Sequence, residues 1–300
     1  MITSVFKKIS DYKTEKVSLA AVILAVTSFF SFALGLLRDR LLTATFGAGN
    51  ELDVYYTAFR IPDFVAMVLM MGAISVAVIP IFTQNLIESK EKAFHYFTNL
   101  LNVFLFCLII ICGILFIFTP LLISLIAPGF SEEKREVTIM LTRIMFLSPI
   151  LMGVSNMISA VLMIFKRFLI TSLSPILYNL GSIIGIIFFV PSMGIAGLAY
   201  GIILGAFMHL IIQVPALFKI GFRPKIIFDF LDKDFLMTLK LTIPRAIGLA
   251  ATQINFIIIT AIGSLLVAGS ITVFSLANDL SAPIIGLIAI LALNVGVQLA

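Results

Sequence analysis

Ionisable residues are few in this sequence, and their spacing is informative. Arg38, Asp39 and Arg40 close one long apolar run, and Asp53, Arg60 and Asp63 stand before the next. Arg143, Arg245 and Asp279 are single charges within apolar sequence, Arg245 directly after Pro244 and Asp279 directly after Asn278. Arginine offers a planar fork of donors that pairs bidentately with phosphate. A charge at membrane depth costs about 2.5–3.5 kcal/mol on insertion scales, so it faces a cavity or an opposite charge. Two arrangements fit the first six residues. They form the net-positive lining of a cavity that receives an anionic head group, or they are interfacial anchors joined by a loop ion pair. Arg245 either faces that cavity or binds a backbone carbonyl that Pro244 leaves without its donor. An Arg245–Asp279 pair across the cavity is a further arrangement.

Other chemistry finds no support. The chain lacks a Gly-rich phosphate loop, a nucleophile elbow, a Ser/His/Asp or Cys/His arrangement and paired catalytic carboxylates, so it does not read as an enzyme and calls for no cofactor. His95 and His209 are far apart, and Cys107 and Cys112 lie in one apolar run on different faces of a helix. Neither pattern makes a metal site or a disulfide framework.

The elements that must position these charges follow from composition. Of 300 residues, 61% are hydrophobic and 12% charged, with a mean hydropathy of +1.19; soluble domains carry about 25% charge. A spanning helix needs about 20 apolar residues and satisfies its own backbone hydrogen bonds. The expected fold is therefore all-α, a polytopic helical membrane protein of about eight spans. Apolar runs bounded by charge, Pro or Gly place them at Val17–Leu37, Phe64–Ile87, Tyr96–Phe118, Val137–Phe165, Phe168–Val190, Ile195–Phe218, Phe235–Leu266 and Ile271–Leu299. Pro149, Pro175, Pro215, Pro244 and Pro283 fall inside these runs, as bending elements or as static kinks. The series Gly181, Gly185, Gly194, Gly197, Gly201 and Gly205 is read as structural, permitting close helix packing.

Twelve Lys and Arg residues fall on one side of this arrangement: Lys7, Lys8, Lys13 and Lys16, then Lys90 and Lys92, Lys166 and Arg167, and Lys219, Arg223, Lys225 and Lys233. The other side has five, in Arg38, Arg40, Arg60, Lys134 and Arg135. The positive-inside rule puts the N-terminus in the cytoplasm, and the net charge of +5 is read as this signal and not as nucleic-acid binding. A shift of about 220 residues sets Ala48-Gly49-Asn50 over Ala268-Gly269-Ser270, each followed by a proline, Pro62 or Pro283. On that repeat the chain divides into a cytoplasmic tail (1–16), a first six-helix lobe (17–220), a cytoplasmic linker (221–234) and the first two helices of an incomplete second lobe (235–300). The chain stops at Gln298-Leu299-Ala300 in mid-run, as the first part of a longer protein would.

The stretch LLRDRLLTATFGAGNELDVYYTAFRIP (Leu36–Pro62) resembles the first-span signature of the MurJ/MviN family. Gly72–Phe82, Ser174–Gly185, Gly194–Leu217 and Ile243–Asn255 look like later segments of the same family, in the same order. The resemblance implies a fourteen-span protein of the exporter superfamily that includes multidrug and polysaccharide exporters, with two six-helix lobes about a central cavity. It implies transfer of lipid II, the lipid-linked peptidoglycan precursor, to the outer leaflet of the bacterial plasma membrane by alternating access. By position, Arg38, Asp39 and Asp53 match motif residues and Arg60 a basic position. Ala66, Met67 and Met71 stand where the family commonly has an arginine pair and a glutamate, and Asp279 stands at the place of a span-8 arginine.

The expected substrate-binding charges are thus Arg38, Asp39, Asp53, Arg60, Arg245 and Asp279. The expected partners are an anionic lipid-linked oligosaccharide and the bilayer, with a monovalent cation or the membrane potential as the coupling source. The alternatives are an exporter of another lipid-linked oligosaccharide, a polysaccharide or a drug, or a membrane scaffold that transports nothing.

Overall fold

In the computed structural model, residues 17–71 and 77–281 are described. The four N-terminal lysines, part of the Gly72–Phe82 segment, Pro283 and the last residues of the chain lie outside them. All regular structure among the described residues is helical: α1 (Val17–Phe46), α2 (Asn50–Val65), a π-helical turn (Ala66–Met71), α3 (Ile79–Glu88), α4 (Lys90–Ile126), α5 (Glu132–Met145), α6 (Leu147–Ile164), α7 (Phe168–Ile184), a second π-helical turn (Gly185–Phe189), α8 (Val190–Met193), α9 (Ala196–Ile211), α10 (Val214–Lys219) and α11 (Lys233–Ser264). A last helix, α12, begins at 270 and is described to 281. Among the described residues, six helices or helix pairs are long and apolar enough to cross a membrane, and this is a multi-pass membrane protein.

The expected boundaries change most where the first charges lie. Arg38, Asp39 and Arg40 do not end α1, because the helix runs on to Phe46 and stops at Gly47, whose φ of +68° favours glycine. Arg38 is paired with its neighbour Asp39, and apolar residues resume after Arg40, so nothing forces the helix to end there. The polar stretch after Gly49 is likewise a helix: Glu51 and Asp53 in its first turn suit the positive end of the α2 dipole. Pro62 lies inside α2 and cannot donate to the Ala58 carbonyl four residues back. The Thr142 hydroxyl of α5 donates to that carbonyl at 3.3 Å instead, and the ladder widens into the π-helical turn just beyond.

Backbone approach sets the centre of the lobe. A Cβ on Gly181 would run into the Gly205 backbone, and one on Gly201 into Gly185. α7 and α9 therefore touch along their main chains, as the glycine series led us to expect, although Gly194 serves a turn instead, at φ +58°. Around this contact α1 packs on α7, α2 on α5, and α11 crosses α4 and α2. An aromatic cluster of Phe82, Phe94, Phe97, Phe165 and Phe222 fills the end of the lobe where α4 begins, with ring centroids 5.4–6.2 Å apart.

Gly201→Val is expected to force α7 and α9 apart at a cost of about 1–3 kcal/mol, lowering the melting temperature of the detergent-purified protein. Gly248→Ala on α11, where an added Cβ meets nothing within 4 Å, is expected to leave it unchanged or slightly raised.

Candidate functional site

Two polar recesses meet inside the bundle and share Arg38, Asp39 and Asp279. The smaller, about 220 Å³, is enclosed by α1, α2, α7, α11 and α12 and contains Arg38, Asp39, Arg60, Asp63 and Asp279. Two arginines against three aspartates reverse the net-positive lining expected from the sequence. Asp53 and Arg245 are not among its walls. The larger, about 630 Å³, opens among α1, α6, α7 and α9 and is lined mainly by neutral side chains, including Ser28, Asn156, Ser159, Thr171 and His209.

Each arginine is already held by the protein. Arg38 Nε and Nη2 both reach Asp39 Oδ1, at 2.9 and 2.8 Å, and Nη1 donates to Asn179 Oδ1 at 3.4 Å. Asn179 in turn donates to the Ser31 carbonyl of α1 at 3.1 Å and to the Pro175 carbonyl at 3.2 Å, so a single amide binds α7 to α1 beneath the charge. Arg60 Nε donates to Thr260 of α11 at 2.8 Å and Nη2 to Ser275 of α12 at 3.0 Å, with the guanidinium 5.5 Å from the centre of the Phe256 ring. Arg60 thus links α2 to both α11 and α12. The Tyr56 hydroxyl belongs to the same recess and has no hydrogen-bond partner among the described residues.

Asp53 does something different. Its carboxylate is buried and accepts from Gly269 N at 2.7 Å, Thr272 N at 2.8 Å and Thr272 Oγ1 at 2.7 Å. A side chain from the first turn of α2 therefore caps the first turn of α12. The two turns aligned by the 220-residue shift are in direct contact, since a Cβ on Gly269, at φ +94°, would run into the Ala48 carbonyl. At the same end Gly129 N donates to Ser264 Oγ at 3.1 Å, joining the α4–α5 turn to the end of α11.

Arg245 is exposed on α11 and lies outside both recesses, and the Arg245–Asp279 pair is not formed. Arg245 stands three turns before Phe256 along α11, well short of the turns that meet Arg60. Asp279 instead joins Arg38, Asp39 and Arg60. Arg143 lies beside Phe116, 5.0 Å from the ring centre, and donates to its carbonyl at 3.3 Å. Sequence reading passed over Asn179, Tyr56 and Tyr178. The polar Tyr178-Asn179 pair amid apolar sequence was the available signal. It also passed over a buried chain in which Ser155 Oγ lies 2.7 Å from His209 Nδ1, Gln213 donates to Ser155 at 2.8 Å, and Ser159 donates to Gln213 at 2.8 Å. Only packing of α6 on α9 brings those four together.

Removing the Asp53 carboxylate takes three acceptor contacts from α12, and a hydrogen bond to a charged group contributes about 1.5–3 kcal/mol. Asp53→Ala is therefore expected to speed amide hydrogen exchange at Gly269 and Thr272 tenfold or more, with exchange at the α7–α9 contact unchanged. Equal protection in wild type and variant would show that the cap contributes nothing.

A family model described as lipid II flippase MurJ matches residues 42–296. Among curated relatives, the probable lipid II flippase MurJ of Buchnera aphidicola subsp. Acyrthosiphon pisum is 31% identical over 255 residues, covering 83% of this chain and 50% of the relative. The probable lipid II flippase MurJ of Borreliella burgdorferi is 28% identical over 263 residues (87% and 51%), and the lipid II flippase MurJ of Burkholderia cenocepacia 27% over 278 residues (88% and 53%). Of solved structures, a lipid II flippase MurJ in an inward closed conformation superposes with a TM-score of 0.73 at 26% identity, over 87% of this chain and 54% of that one. A MOP superfamily transporter from Pyrococcus furiosus, at TM-score 0.56 and 17% identity over 84% and 55%, shares the fold. The chain spans about half the length of the curated relatives it matches.

Proposed function

This chain belongs to the MurJ lipid II flippase family, and from that membership we propose that the protein moves the lipid-linked peptidoglycan precursor, lipid II, from the inner to the outer leaflet of the bacterial plasma membrane by alternating access. No bond is made or broken. The N-terminus lies in the cytoplasm, in keeping with twelve basic residues on that side against five on the other. The observation that carries the reading is the charged recess between α1, α2, α11 and α12, where Arg38 and Arg60 present guanidinium groups to one space. A diphosphate entering it would take over from Asp39, Thr260 and Ser275 as the acceptor for those donors, with the lipid tail remaining in the bilayer.

The coupling between cargo and motion follows from the same contacts. Arg60 joins α2 to α11 and α12, and the Asp53 cap holds the first turn of α12 against α2 about one turn away, so drawing Arg60 toward a phosphate would loosen the same junction that the cap keeps closed. Alternating access would require that cap to open, and its three hydrogen bonds set part of the barrier. Arg245 remains a candidate contact to cargo on the exposed face of α11.

A second reading is favoured by the excess of carboxylates. With Asp279 in place of the family's arginine, and Asp39 and Asp63 nearby, a monovalent cation could share the recess as the coupling ion, or the cargo could be a less anionic lipid-linked sugar or another exported compound of the superfamily.

Complementation distinguishes these. Full-length protein expressed in bacteria depleted of their own lipid II flippase is expected to restore growth, while Arg38→Ala and Arg60→Ala, at wild-type abundance in the membrane, are expected to fail. Failure of a correctly inserted wild type to restore growth would remove lipid II as the cargo. Rescue by both arginine variants would remove the recess as its binding site.

A further inference from the structure

A third cavity, of about 680 Å³, lies away from both recesses, between the start of α4 and the chain that follows α10. Its walls carry Lys90, Lys92, Arg223 and Lys225 against one carboxylate, Glu91. Lys92 is engaged by Glu88 at 2.7 Å, and the Lys90 ammonium stands 5.7 Å from the Phe94 ring centre and 5.9 Å from that of Phe165. Arg223 and Lys225 form no ion pair among the described residues and are exposed. With Glu88 on Lys92 and Glu91 on the wall offsetting part of it, the cavity keeps a net positive charge carried by Lys90, Arg223 and Lys225.

Next to it runs an irregular segment with the opposite character. Asn102 of α4 donates to the carbonyls of Lys225 and Ile227 at 2.7 and 3.2 Å. Asn99 donates to the Asp229 carbonyl at 2.8 Å and accepts from Asp229 N at 2.7 Å. These bonds pin residues 225–229 along α4 at the depth where its apolar run begins. Beside the exposed Lys225 and Asp229, the apolar side chains of this stretch also turn outward: Ile226 is 89% and Leu231 83% exposed, and the Phe228 ring lies 5.9 Å from Phe106 and 6.4 Å from Phe230. A contiguous exposed apolar strip marks an interaction surface.

We infer that this cavity binds the phosphate head group of an anionic phospholipid, with its acyl chains lying along Phe106, Phe228 and Phe230. Basic pockets at the ends of membrane helices recognise such head groups through charge, and an apolar strip at the edge of the hydrocarbon accommodates the chains. A soluble phosphate would use the cations and leave the strip without a role. The site lies outside the charged recess proposed for cargo. Its leaflet, the inner one, follows from the proposed orientation, whereas binding itself depends on neither the orientation nor transport.

The test is native mass spectrometry of the full-length protein in detergent, with dioleoylphosphatidylglycerol or dioleoylphosphatidylcholine added. Wild type is expected to retain the anionic lipid in preference. Since each interfacial cation contributes about fivefold, Arg223→Gln with Lys225→Gln is expected to weaken retention roughly 25-fold, and Arg223→Lys with Lys225→Arg to restore it. Phe228→Ser is expected to weaken it as well, and 10 mM inorganic phosphate not to displace it. Equal retention of the two lipids, or unchanged retention in the Gln pair, overturns the proposal. Displacement by phosphate together with indifference to Phe228→Ser overturns the lipid in favour of a soluble anion. Should the Gln pair not survive purification, a high-salt wash of the lipid-loaded wild type reads the same electrostatics, and a preference that persists through it counts against the site.

Discussion

A carboxylate carried into a membrane protein's interior must be matched by donors, because desolvation of an unpaired charge costs more than most packing contacts return. Asp53 meets that constraint with three donors supplied by one turn, the turn that starts α12. The same turn needs the carboxylate, since the first amides of any helix have no acceptor of their own and its dipole favours negative charge there. Each side solves the other's problem, and the solution works only with Gly269 lying against the Ala48 carbonyl. From this contact follow the placement of α12 beside α2, the reach of Arg60 to Ser275, and the arrival of Asp279 beside Arg38.

The donors of the charged recess are matched within the protein. Arg38 and Arg60 are satisfied by Asp39, Asn179, Thr260 and Ser275, which keeps two guanidinium groups at depth without a large desolvation penalty. On the proposed function an anionic guest would compete with these internal acceptors, and its occupancy would be tied to helix position, because three of those acceptors lie on other helices than the arginines they hold. The close α7–α9 contact would then be the fixed body against which other helices move.

Basic residues counted as an orientation signal are gathered at the start of α4 into one pocket, with exposed apolar side chains beside it. A net count of charges along the chain carries no information about such gathering, because Lys90 and Arg223 are brought together by the packing of the linker on α4.

Much of the architecture was legible along the chain. Long apolar runs in a chain with few charges leave the helix as the way to satisfy backbone groups in lipid, and runs such as Phe168–Val190 and Phe235–Leu266 lay within a few residues of the helices, whereas α1 runs nine residues past Leu37 and α4 eight past Phe118. The glycine series foretold the α7–α9 contact, since only main chains without Cβ atoms approach so closely. The ordered segments resembling one family pointed to the family that the chain belongs to. Charge placement was only half legible. Arg38, Asp39, Arg60 and Asp279 do share a recess, but its sign, the separate duty of Asp53 and the exposure of Arg245 were not foreseeable. A charged side chain does not by itself end a helix, so the cluster Arg38–Arg40 did not mark the end of α1, which falls instead at Gly47. Composition and spacing determine how deep a residue lies. Which residue it faces depends on the rotation and crossing of helices far apart in sequence, and only the tertiary structure decides that.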